Sequence, residues 1–215
     1  MKISHIECFP LKITPQQAYL GGSVEGHNSD YYYRPEYRCV YSRKMETCLV
    51  KITTHEGYVG WGEALAPVVP QVIAELINHL FAPLLIGQSP FASGVLNSRM
   101  YDAMRDRGHI TGYHIDAIAA VDIALWDLKG KILQLPVCQL LGGAYRETIP
   151  CYVSGLPEPD LPARCHLAKQ WQDKGFNAFK LALGYGVRED IENVSGIRET
   201  LGNDADIFLD AHWNY

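Results

Sequence analysis

No basic run, no paired-cysteine spacing and no uninterrupted apolar stretch of membrane length occur in this 215-residue chain. The six cysteines (Cys8, Cys39, Cys48, Cys138, Cys151 and Cys165) form no CxxC or CxxH pair. That argues against a zinc knuckle or a disulfide framework and for reduced thiols, so the cytoplasm is the expected setting. A formal net charge of -5 without clustered Lys or Arg argues against nucleic acid as the main partner. The longest apolar stretch, VVPQVIAELINHLFAPLLIG, is interrupted by Gln71, Glu75, Asn78, His79 and prolines, so no membrane partner is expected. The N-terminal MKISHIECFPLKI has no signal-peptide core, and its apolar positions Ile3, Ile6, Phe9, Leu11 and Ile13 read as a strand. Internal repeats and low-complexity tracts are also missing.

What remains is a globular composition, 47% hydrophobic and 20% charged, long enough for one large domain or two ordinary ones. After the first strand, TPQQAYLGGSVEGHNSDYYYRPEYR reads as an extended loop or lid. Within it Tyr31, Tyr32 and Tyr33 either pad a core edge or touch substrate, and the run Tyr31 to Arg34 is a candidate lid contact. TCLVKITTH and YVGWGEA, joined at Glu56-Gly57, form a hairpin signal and complete a three-stranded antiparallel sheet. Helices are expected over about 69–85, 91–107 and 113–133. In the last of these Ile118, Val121, Leu125, Leu128 and Ile132 mark a buried stripe, with Trp126 packing beside it. From Thr148 the pattern becomes strand (IPCYVSG), helix (about 161–174), strand (FNAFKLALG), helix (about 188–201), strand (ADIFLDA), the rhythm of a parallel sheet with right-handed crossovers. The chain therefore divides into an α+β unit, residues 1–140, and the beginning of an α/β unit, residues 141–215.

Strand alternation directs Lys180 and Ala182 to one face and Phe179, Leu181 and Leu183 to the other, where helices would cover them. A lysine directed inward calls for a carboxylate, because an unpaired ammonium loses several kcal/mol of hydration. Asp210 and His212, two residues apart in the closing LDAHWNY, are expected on one face of the next strand, at the carboxyl ends where α/β folds bind ligands. The alternatives at these positions are that Lys180 snorkels out at a strand end, that Asp210 caps a following turn, and that His212 is a surface imidazole.

The string AIAAVDIALWDLKGKILQLPVCQLLGG, followed by FKLALG and then FLDAHWNY, resembles the mandelate racemase and muconate-lactonizing branch of the enolase superfamily over essentially the whole chain. The resemblance implies an α+β capping domain (three-stranded antiparallel sheet plus helices), here 1–140, followed by the first three strands of a (β/α) TIM-like barrel, here 141–215 and incomplete. It also implies a Mg2+ site with Asp210 as its first metal ligand, Lys180 as the first lysine of a K-x-K element, a small-molecule carboxylate substrate and a homo-oligomer. The second lysine of K-x-K is replaced by Ala182, which disfavours lysine-based proton abstraction on that face. His212 resembles the general acid in the D-x-H arrangement of sugar-acid dehydratases.

Dehydration fits the chemistry. The proton α to a carboxylate is weakly acidic and leaves only if the enediolate charge is neutralised, and loss of the β-hydroxyl needs an acid with a pKa near neutral. The expectation is a sugar-acid dehydratase in which Lys180 and His212 act on substrate and Asp210 holds metal. A racemase, epimerase or cycloisomerase of the same superfamily is the alternative, and an inactive fragment or an oligomerising or binding module is the alternative of another class. With three barrel strands visible where eight are needed, the 215 residues read as the front portion of a larger enzyme.

Overall fold

A computed structural model describes residues 1–15 and 29–215. The strands β1 (Ile3–Ile13), β2 (Tyr31–Arg34), β3 (Cys39–Ser42), β4 (Met45–Thr54) and β5 (Val59–Ala64) come first. They are followed by α1 (Gln71–Glu75), a π-helical turn (Leu76–Phe81), α2 (Ala82–Leu85), α3 (Ser93–Arg105), α4 (Tyr113–Leu133) and α5 (Val137–Leu140). Then β6 (Val153–Ser154), α6 (Leu161–Asp173), β7 (Ala178–Ala182), α7 (Val187–Leu201) and β8 (Asp206–Asp210) alternate as expected. Two compact units result, one of residues 1–14 and 44–145, the other of 15–43 and 146–215.

In the first unit the sheet order is β1-β4-β5, antiparallel throughout, the three-stranded sheet expected from the hairpin signal. Along β4 burial alternates residue by residue, so Cys48, Val50 and Ile52 face the core while their neighbours do not. The α4 stripe closes that core with Ile118, Val121, Leu125 and Leu128 buried and Ile132 packed at its edge. Two glycines let the helix come down directly on β5: a methyl group at Gly60 would run into the Ala124 carbonyl, and one at Gly62 into the Ala120 carbonyl. Asp127 then ties the layers, its Oδ2 accepting from the Trp61 N–H at 2.7 Å and from Lys131 Nζ at 2.6 Å. Trp126 carries the Lys129 ammonium 3.2 Å from its ring centroid, and that buried ammonium donates to Ser93 Oγ at 2.7 Å.

The single helix expected over 69–85 is broken by the π-helical turn. Pro83, in the first turn of α2, has no N–H to carry the α-helical ladder across that point, and the wider turn still buries Ile77 and Phe81. Among the described residues no single helix is long and apolar enough to cross a membrane.

In the second unit β6, β7 and β8 lie side by side and parallel, joined by α6 and α7. Asp160 caps α6, its Oδ1 accepting from the Ala163 N–H at 2.9 Å, with Pro162 in the first turn. Arg198 closes the far end of α7 by donating to the carbonyls of Gly202, Asn203 and Ala205. Phe179, Leu181 and Leu183 are buried with Ile197, Leu201 and Ala168, the apolar face predicted from the alternation in FKLAL. The segment expected to be an extended loop holds instead a hairpin, with β2 pairing to β3 through Tyr31↔Ser42 and Tyr32↔Tyr41. Its aromatic and β-branched residues favour a pleated pair, and the Tyr32 and Tyr41 rings meet at 6.2 Å. The stretch 16–28 of that expected lid lies outside the described residues.

Candidate active site

The register Ala182↔Asp210 puts Lys180 one pleat back from Asp210 on the neighbouring strand, and both point to the face away from α6 and α7. Lys180 Nζ donates to Asp210 Oδ2 at 3.1 Å. The Lys180 hydrogen bond first, and then the His212 N–H, hold the Asp210 carboxyl below the usual carboxylate range. The inward lysine does find its carboxylate.

His212 arrives by a different route from the one the alternation suggested. β8 ends at Asp210, and His212 and Trp213 both adopt left-handed backbone, φ 48° and 62°. Asp210 Oδ1 accepts from the His212 N–H at 3.3 Å, so the carboxylate caps the turn while its other oxygen meets Lys180. The turn folds the imidazole back toward Asp210: Nδ1 lies 3.3 Å from the Asp210 main-chain oxygen and 3.7 Å from Oδ1. A carbonyl can only accept, so that contact is a hydrogen bond when Nδ1 carries the proton. The Asp210 carbonyl also accepts from the Leu183 N–H at 2.9 Å, extending the β7–β8 ladder to the base of the site.

Residues that the sequence did not single out hold this turn in place. The Asp190 carboxylate, buried in the first helical turn of α7, accepts from the N–H groups of Gly184 and Tyr185 at 2.9 and 3.2 Å and from the Tyr215 hydroxyl at 2.6 Å. Asn214 Nδ2 donates to the carbonyls of Gly184 and Glu36 at 2.8 and 2.6 Å. Gly184, at φ +103°, allows the close approach, since a Cβ there would meet the Ala211 carbonyl oxygen at 2.6 Å. Tyr37 lies against His212, and its hydroxyl donates to the Tyr185 hydroxyl at 2.9 Å. Acidic residues at the start of α7 were a readable signal for Asp190, whereas Tyr37, Tyr185 and Asn214 act through long-range contacts that no local pattern announces.

Of the proposed lid contacts, the Arg34 guanidinium sits 4.8 Å from the Tyr37 ring centroid, Tyr32 packs on Tyr41, and Tyr33 is exposed. A cleft of about 630 Å³ opens beside Arg34, Glu36, Arg164 and Tyr185. It does not include Lys180, Asp210 or His212, which line the open face of the sheet.

Among the described residues no three His, Cys, Asp or Glu side chains gather in a way that could hold a metal ion. Asp210 alone offers one carboxylate, with both oxygens already accepting hydrogen bonds, and magnesium asks for near-octahedral oxygen coordination. These residues do not amount to a magnesium site by themselves.

An α+β unit followed by parallel strands joined through helices is the arrangement of a capping domain leading into the first strands of a (β/α) barrel. The family models agree: residues 36–142 match the mandelate racemase/muconate lactonizing enzyme N-terminal domain, and residues 163–215 match the enolase C-terminal domain-like family. The chain belongs to the enolase superfamily, in its mandelate racemase/muconate lactonizing branch. It is 35% identical over 172 residues to D-galactarolactone cycloisomerase of Agrobacterium fabrum, covering 78% of this chain and 44% of that protein. It is 34% identical to arabinonate dehydratase of Saccharolobus solfataricus, covering 78% and 46% of the two chains. The crystal structure of an enolase-superfamily member from Agrobacterium tumefaciens superposes on it with TM-score 0.91 at 41% identity, covering all of this chain and 56% of that one. The chain thus spans about half the length of the relatives it matches.

Proposed function

We propose that this polypeptide is part of a magnesium-dependent enzyme that abstracts the proton α to a carboxylate, and that its reaction is dehydration of an aldonic or aldaric acid. The observation that carries the reading is the placement of His212, with Nδ1 turned to Asp210 and the ring beside the Lys180–Asp210 pair. Lys180, whose ammonium already seeks a carboxylate, would bind and orient the substrate carboxylate. His212 would give its proton to the departing β-hydroxyl, a task that suits an imidazole near neutral pH. Asp210 would serve as one metal ligand, the others coming from outside the described residues. The similarity to arabinonate dehydratase supports this chemistry.

A second reading, cycloisomerisation or racemisation, is favoured by the comparable identity to D-galactarolactone cycloisomerase. The two separate in one experiment: a panel of aldonic and aldaric acids and their lactones, supplied with magnesium in deuterated water. Formation of a 2-keto-3-deoxy acid supports dehydration. Exchange of the α-proton without any keto product, or conversion of lactones alone, overturns it in favour of isomerisation. No turnover of any member by a preparation in which the polypeptide binds magnesium overturns both and favours a binding module.

A further inference from the structure

Tyr37 lies in the turn between β2 and β3, which is closed by the bonds Tyr37 N–H to Arg34 O at 3.2 Å and Arg38 N–H to Pro35 O at 3.3 Å. It is 6% exposed, unusually low for a residue in a connecting turn. Its ring lies flat on the His212 imidazole, with centroids 3.9 Å apart and planes within 13°. The hydroxyl is tethered to Tyr185, and the Tyr41 ring stands 6.0 Å away, so the phenol is held from several sides. A parallel contact at this distance does more than fill volume, because it fixes the plane in which the partner ring can lie. Within that plane the Nδ1 contact to the Asp210 carbonyl fixes the rotation. With plane and rotation both set, one ring nitrogen remains, Nε2, and among the described residues no hydrogen bond engages it.

We propose that Tyr37 is a positioning residue that orients His212 so that Nε2 is the atom presented to substrate. Orientation of the acid is thereby coupled to the seating of the β2–β3 segment. What Nε2 does once presented rests on the dehydratase reading above; where it points does not. The coupling runs through ring contact, so the phenol ring matters and its hydroxyl matters less.

The test is long-range 15N–1H NMR of the His212 ring in the whole 215-residue chain at pH 8, with ring-to-ring nuclear Overhauser contacts, for the wild type, Tyr37→Phe and Tyr37→Leu. The wild type and Tyr37→Phe are expected to show a Tyr37 (or Phe) to His212 contact and a single Nδ1–H tautomer. Tyr37→Leu is expected to show averaged tautomers, with a loss of at least tenfold in kcat for any dehydrated substrate, restored by Tyr37→Phe. A wild type without the ring contact, or a Tyr37→Leu chain that keeps the single Nδ1–H tautomer, overturns the proposal. Should Tyr37→Leu not fold, the wild-type and Tyr37→Phe spectra decide. A protein that dehydrates nothing leaves the tautomer result standing, so failure of the functional reading is told apart from failure of this one.

Discussion

Lys180 and Asp210 are each partly exposed, 32% and 43% by side chain, so solvent screens their attraction and the pair contributes at most about 1 kcal/mol to folding. Lys180→Met is therefore expected to change unfolding free energy in urea by less than about 1 kcal/mol while abolishing turnover. A loss above about 2 kcal/mol would mark the pair as a structural brace instead. His114 presents the opposite case. It is buried at the start of α4 beside the edge of Phe81, and among the described residues neither ring nitrogen has a hydrogen-bond partner of good geometry. Burial pushes its pKa below the ordinary 6.5. The unfolded chain then binds more protons than the folded one as pH falls below about 6.5, so stability declines in that window until pH passes the folded pKa, at about 1.4 kcal/mol per unit of separation. His114→Phe should flatten the dependence of melting temperature on pH as pH falls below about 6.5. An unchanged slope would assign the effect to other groups.

At the scale of elements, the approach of α4 to β5 depends on Gly60 and Gly62 having no side chain. Gly62→Val is expected to destabilise by at least about 2 kcal/mol through overpacking. Gly94→Ala on α3, where a Cβ meets nothing within 4 Å, should be neutral or stabilising by up to about 1 kcal/mol. Equal effects in denaturant melts would contradict the close-packing account. The elements themselves were largely legible, because they follow from short-range periodicity: the α4 stripe, the hairpin at Glu56-Gly57 and the βαβαβ rhythm all appear where the apolar spacing put them. The β2–β3 hairpin was not, since its glycine-rich approach reads as loop and its pairing is confined to four residues a side. The period of two correctly joined Lys180 to Asp210 across neighbouring strands. It gave the wrong route for His212, which a left-handed turn, not strand alternation, returns to the same carboxylate. Tyr37 and Asn214 stayed hidden because Tyr37 meets Tyr185 across 148 residues of sequence and Asn214 meets Glu36 across 178.

At the scale of the whole molecule, the chain brings a lysine, a carboxylate and an imidazole together but spans 44% of the curated cycloisomerase it resembles. With Asp210 as the sole carboxylate among them, calorimetric titration of this 215-residue chain should detect no magnesium binding tighter than about 1 mM. Tighter binding that Asp210→Asn removes would show a more complete site than the described residues form. In the proposed division of labour, His212 acts on the departing hydroxyl and not on the α-proton. The most direct test is to follow α-deuterium exchange and 2-keto-3-deoxy acid formation together, for the wild type and His212→Asn, on an aldonic acid that the enzyme turns over. Exchange should persist within about tenfold while product formation falls by 10² or more, the span typical of a lost general acid. Equal loss of both, or product formation unchanged, would contradict it.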